Sequence, residues 1–186
     1  ELRNPFARDK KASAMPALFF ANANISRTMA QKQTLDVASF LYSQNHHSLC
    51  HLLLQSSANS NSFPPAYYLL MAMLATEQNH LPQARQYYQQ VLALQPDNQK
   101  ALRGLARLWL VAGDYSKAAE LYKQLNALNP SGTVVAANLG IALSGSGRAA
   151  EAVKLLYQYY YDYPDDVRIR RVLAWALLND GNYAEA

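Results

Sequence analysis

Pro96, Pro130 and Pro164 stand 34 residues apart, twice over. A chain with a fixed stride of this length is constrained to a stack of like units, because each unit is too small to bury its own apolar face. Other residues keep the stride. Ala84, Ala118 and Ala152 repeat at the same offset, and the next step lands on Ala186, the last residue. Tyr88, Tyr122 and Leu156 follow in register, as do Gly113, Gly147 and Gly181, with Asn79 taking the glycine's place in the first copy.

Within one stride the pattern reads as two helices. Leu102, Leu105, Ala106 and Trp109 recur at helical spacing and gather onto one stripe of a first helix. Gly113-Asp114 ends it, glycine being free to adopt the left-handed conformation of a helix C-terminus. A second helix follows through Ala118, Ala119, Tyr122 and Leu125, and Asn129-Pro130 closes it, since the residue before a proline avoids the helical region. The alanines allow close approach of two helix backbones, which any larger side chain would prevent.

These positions resemble the tetratricopeptide repeat: a small residue in the first helix, glycine in the turn, alanine and an aromatic on the second helix, and a closing proline. Full copies are expected over 65–98, 99–132 and 133–166, a truncated one over 167–186, and a degenerate one over 31–64, where Cys50 replaces the packing alanine and Pro64-Pro65 stand in for the closing proline. The resemblance implies an all-α fold, a right-handed superhelical α-solenoid of helix-turn-helix repeats with a concave groove. The array breaks off mid-repeat, so the natural protein is expected to be longer, and its open end is a candidate for pairing between copies.

Residues 1–30 lie outside this grammar. ELRNPFARDKK is basic and expected to be extended, and PALFFANANIS is expected to form a short apolar helix capping the first repeat. At the other end, LLYQYYYDYP crowds Tyr157, Tyr159, Tyr160, Tyr161 and Tyr163 into the last turns of a second helix. Packing against the next repeat is the expected role of these rings. Tyr159 departs from the family pattern, which prefers alanine there, and Asp162 stands where leucine is preferred.

The 186 residues are 51% hydrophobic and 16% charged, enough to bury a core, and the net charge of +4 falls short of a nucleic-acid-binding signature. The single cysteine excludes an internal disulfide, and no apolar run reaches the length of a membrane span. No phosphate loop, zinc-protease or nucleophile-elbow motif is present, so no enzyme and no cofactor is expected. The one metal-like cluster is NHHSLCH, with His46, His47, Cys50 and His51; the register buries Cys50 and puts His46 in a turn, so the side chains diverge and no metal site is expected.

The functional expectation rests on the first helices. At about 100° per residue, Lys100, Arg103 and Arg107 lie nearly opposite the apolar stripe, and Asn138, Arg168 and Arg171 map to the same face of later units. The arrangement resembles the carboxylate clamp of repeat co-chaperones, with Arg103 and Arg168 in place of two lysines and Asn138 matching the central asparagine. Arg107 and Val172 depart from that pattern. The resemblance implies that the groove binds an acidic peptide or helix of another protein. Two alternatives are carried forward: a scaffold subunit of a bacterial pilus, secretion or envelope-polysaccharide assembly, and an accessory part of a larger enzyme.

Overall fold

The computed structural model describes residues 15–57, 63–130 and 132–181, with side chains from residue 28 onward. The described residues form helices and turns without strands. They divide into two compact units, 1–62 and 63–186.

The first unit holds α1 (Met15–Ser43) and α2 (His47–Ser56), packed on each other. The separate short cap expected at PALFFANANIS is instead the beginning of one continuous helix. Cys50 on α2 is fully buried and its thiol donates to the Ala38 carbonyl of α1 at 3.2 Å, a bond that ties the two helices together. His47 stacks on Tyr42 with ring centroids 4.9 Å apart.

The second unit is an α-solenoid. First helices are α3 (Pro65–Glu77), α5 (Gln99–Val111), α7 (Thr133–Gly145) and α9 (Val167–Asp180); second helices are α4 (Leu81–Leu94), α6 (Tyr115–Leu128) and α8 (Ala149–Asp162). Starts recur every 34 residues within each series. Each helix packs on the next along the chain, and α3 also meets α5 as α7 meets α9. Local signals set the boundaries. Asn98, Asp114 and Asp166 cap α5, α6 and α9 by accepting backbone N–H bonds, and Pro65 occupies the first turn of α3, where its missing N–H costs nothing.

The turn between paired helices is equally regular. Asn45, Asn79, Gly113, Gly147 and Gly181 all have φ between 60° and 83°, so the left-handed residue recurs once per stride through both units. Asparagine tolerates this conformation and glycine enters it freely. A Cβ at Gly113 would meet nothing within 4 Å, so Gly113→Ala isolates the backbone cost: a loss of about 1–2 kcal/mol is expected in chemical denaturation, and an unchanged midpoint would refute the assignment.

The core runs from unit to unit. Ala84, Ala118 and Ala152 are fully buried between helices, with Tyr88, Tyr122 and Leu156 one turn further on. α7 is apolar around most of its circumference and packs on α6, α8 and α9, a contact pattern open to a helix whose inward residues include Ala136, Ala137, Gly140 and Ala142.

Asp166 makes the α9 start sensitive to acid. Its carboxylate takes hydrogen bonds from the Arg168 guanidinium, the Thr133 hydroxyl at the start of α7 and the N–H groups of Arg168 and Ile169, which hold its pKa down to about 2. The unfolded value is about 3.9. A depressed pKa means that stability is fully present above about pH 4 and is lost as the pH falls towards 2. Thermal melts at both ends of this window should show a smaller drop for Asp166→Asn than for the native chain; equal drops would remove Asp166 from the acid response.

Candidate functional site: a basic face interrupted by an apolar helix

Lys100, Arg103 and Arg107 are exposed on α5, on the side away from buried Leu102, Leu105 and Ala106. The electrostatics locate two of them more closely. Burial raises the Tyr122 hydroxyl pKa, against an opposing pull from Arg107 and then Arg103. At Tyr88, burial again raises the pKa, Glu77 adds to it, and the Thr76 hydrogen bond and Arg107 oppose it. Arg107 therefore lies within electrostatic reach of the second-helix tyrosines of two successive units. Glu77 is the carboxylate that shares this neighbourhood.

Among the described residues, ion pairs hold Lys117 to Asp114, Arg148 to Glu120 and Glu151, and Arg168 to Asp166. Lys100, Arg103, Arg107 and Arg171 take part in none of them. Arg168 differs from the rest of the expected set: its guanidinium turns back onto the cap of its own helix, with Nη2 3.2 Å from Asp166 Oδ2. Asn138 is half-buried on α7.

The 34-residue stride defines rows across the first helices. Lys100, Val134 and Arg168 form one, Arg103, Ala137 and Arg171 the next, and Arg107, Ile141 and Trp175 the third. Cations on α5 and α9 thus flank α7, which contributes Val134, Ala137 and Ile141 to these rows and half-buried Asn138 between the second and the third. Between α7 and α9 there is a cavity of about 350 Å³ lined by Ile141, Arg171, Val172 and Trp175. Among the described residues, Arg171 is the charged side chain of that lining. Reasoning from charge alone passed over this cavity, although Val134, Ile141 and Trp175 at positions where α5 carries cations were the available signal.

The tyrosine-rich end of α8 is of two kinds. Tyr159 is buried, and its hydroxyl reaches back to the preceding unit, donating towards the Asn126 side-chain oxygen at 2.7 Å and the Pro130 carbonyl. This explains a tyrosine where a small residue is usual: the phenol spans the gap and finds acceptors at its far side. Tyr161, in contrast, is 87% exposed. No helix among the described residues is long and apolar enough to cross a membrane, and the described residues contain no cluster of side chains suited to holding a metal ion.

A family model for the tetratricopeptide repeat matches residues 69–133 and 138–186. Cellulose synthase 1 operon protein C of Komagataeibacter xylinus is 32% identical over 120 residues, 63% of this chain and 9% of that protein. The chain spans about a tenth of the length of this relative. Among solved structures, MamA AMB-1 superposes with a TM-score of 0.74 at 22% identity, covering 85% of this chain and 93% of that one. MamA from Desulfovibrio magneticus RS-1 gives 0.73 at 14% identity, covering 83% and 87%. At these identities the structural likeness speaks for the fold alone.

Proposed function

Because this chain belongs to the tetratricopeptide repeat family, we propose that it is a non-enzymatic protein-interaction module whose first-helix face receives an acidic segment, extended or helical, of another protein. The observation that supports this reading is the exposed cluster of Lys100, Arg103 and Arg107 on one face of α5, three cations that take part in no ion pair among the described residues. Like charges held close together on one helix repel each other, so a ligand that supplies carboxylates relieves a standing cost. Guanidinium groups grip a carboxylate through two parallel hydrogen bonds, each contributing roughly 1.5–3 kcal/mol. Three such bonds near the top of that range total about 9 kcal/mol, the order of a micromolar complex at about 8 kcal/mol. Arg171 extends the basic surface onto α9, Arg168 joins it on release from Asp166, and the Asn138 amide can donate to and accept from a peptide backbone.

Charge reversal tests the proposal. Arg107→Glu is expected to weaken binding of a synthetic acidic peptide by about tenfold or more in isothermal calorimetry. An unchanged affinity would end it.

The similarity to cellulose synthase operon protein C favours a second reading, a scaffold subunit in an envelope-polysaccharide assembly. Its contacts would run through Tyr161 and the exposed edge of α8. Under that reading Tyr161→Ala weakens assembly with the partner subunit while Arg107→Glu leaves it intact, a reversal of the outcome expected for the basic face.

A further inference from the structure

We propose that the cavity beside the C-terminal ends of α6 and α8 is a saccharide site, which takes one uncharged pyranose ring with equatorial hydroxyls from an oligosaccharide. The proposal goes beyond both readings above, because each of them gives the chain a protein partner and neither gives it a sugar.

The cavity has a volume of about 350 Å³, and its lining includes Asn126 at the end of α6 and, from the next unit, Gln158, Tyr159, Asp162 and Tyr163. It belongs to the second helices, whereas the basic face belongs to the first. Its chemistry is peculiar to this place in the stack. One stride earlier, Leu92, Leu125 and Leu128 stand where the cavity has Asn126, Tyr159 and Asp162. An amide, a phenol and a carboxylate thus replace three leucines, and all three replacements meet in one cavity. Packing accounts for the first two, since the Tyr159 hydroxyl reaches the Asn126 side-chain oxygen at 2.7 Å. It does not account for Asp162, which is exposed and takes part in no hydrogen bond or ion pair among the described residues.

The aromatic wall is set before any ligand arrives. Tyr159 is pinned through its hydroxyl, and the Tyr163 ring stands against it with centroids 6.5 Å apart and planes inclined by 23°. Tyr163 keeps 39% of its surface open.

The donors and acceptors select the ligand. Asn126 spends its oxygen on Tyr159 and keeps two N–H bonds, Gln158 brings two more with an oxygen, and the Asp162 carboxylate only accepts. A cation would use the acceptors and leave the amide N–H groups unmatched, and an anion would be repelled by Asp162. A hydroxyl both donates and accepts, so vicinal hydroxyls use both kinds of partner. An equatorially substituted pyranose also has a flat face of C–H bonds, which lies against an aromatic ring while the hydroxyls radiate at its edge. The volume falls at the lower end of the range of small-molecule sites, about 300–1,000 Å³, which suits one ring with its two linkages.

The test is calorimetry on the full chain with cellohexaose, whose rings are uncharged and all-equatorial, and with the same hexamer oxidised to the carboxylate at every C6. Cellohexaose is expected to bind about tenfold more tightly than the oxidised hexamer, or better. Asp162→Leu should weaken cellohexaose about tenfold and bring the two hexamers to similar affinities, a change that a merely structural role for Asp162 would not produce. Tyr163→Ala should weaken cellohexaose by about three- to tenfold. Both positions are exposed, and circular dichroism checks that the helices persist. Absence of cellohexaose binding at millimolar concentration, in calorimetry and in saturation-transfer nuclear magnetic resonance alike, would overturn the proposal. Binding that neither variant alters would put the sugar elsewhere and overturn it too. If neither hexamer binds while both variants weaken assembly with a partner subunit, the cavity takes protein and the proposal fails.

Discussion

Tyr122→Ala is expected to lower the free energy of unfolding by about 3–5 kcal/mol. Among the described residues, Tyr122 heads the fully buried side chains by volume, at 1% exposure. It belongs to the cluster that joins α5, α6, α7, α8 and α9, and α6 packs on both α5 and α7. A cavity at this position therefore loosens the interface within one unit and the interface to the next. In a stacked array stability is close to a sum of unit and neighbour terms, so weakening both should also blunt cooperativity. Urea unfolding followed by far-ultraviolet circular dichroism should show a lower midpoint and a shallower transition. Tyr122→Phe keeps the ring and loses only the hydroxyl, for which about 1 kcal/mol is expected. If the alanine variant costs no more than the phenylalanine variant, the ring is not the keystone that its burial implies.

The stride carried most of the fold. Prolines, alanines and glycines at constant offsets mark places where sterics leave little choice: a helix end, a close helix contact and a left-handed turn. Asn45 occupies the same place as Gly113 and belongs to the same series, yet asparagine is common enough elsewhere to hide there. The continuous α1 was also legible. Between Pro16 and Pro64 the sequence contains neither glycine nor proline, so nothing within the helix interrupts it before Ser43, whereas the change in repeat pattern near residue 30 suggested a break.

The site was legible in a different measure. Helical spacing tells which face a residue occupies, and it put Lys100, Arg103 and Arg107 together on α5. It does not tell what a side chain meets once the units stack. Arg168 shares the face by register but is held at 3.2 Å by the carboxylate that caps its own helix. The tyrosine run was expected to pack against the next repeat, whereas Tyr159 is buried with its hydroxyl on acceptors of the preceding unit, Asn126 and Pro130, far away in sequence, and Tyr161 is exposed. The cavity between α7 and α9 escaped for the same reason: Ile141 and Trp175 become neighbours only through the packing of two helices one stride apart.

Gly104→Leu is the second substitution with a large expected effect, a destabilisation of about 3 kcal/mol. Gly104 lies on α5 between Arg103 and Arg107, and a Cβ there would stand 2.3 Å from Cζ of Tyr88, with Cε1 and Cε2 at 2.6 and 2.7 Å. Three ring atoms at once mean that the glycine faces the ring rather than a single corner of it. Tyr88 cannot swing aside cheaply, because it is buried in the cluster that joins α3, α4 and α5. Even alanine meets the ring, although its better helix propensity, about 1 kcal/mol over glycine, offsets part of the clash. Removing the ring removes the conflict: Tyr88→Ala alone should cost about 3–5 kcal/mol, and combined with Gly104→Leu it should cost clearly less than the two separate losses, with a coupling of about 1–3 kcal/mol. Additive losses in denaturation would show that the close approach is not the reason for glycine. The same contact limits how closely α5 seats against α4, and so the position of Arg103 and Arg107 on the proposed binding face. Gly104→Leu should therefore weaken acidic-peptide binding without altering a single charge.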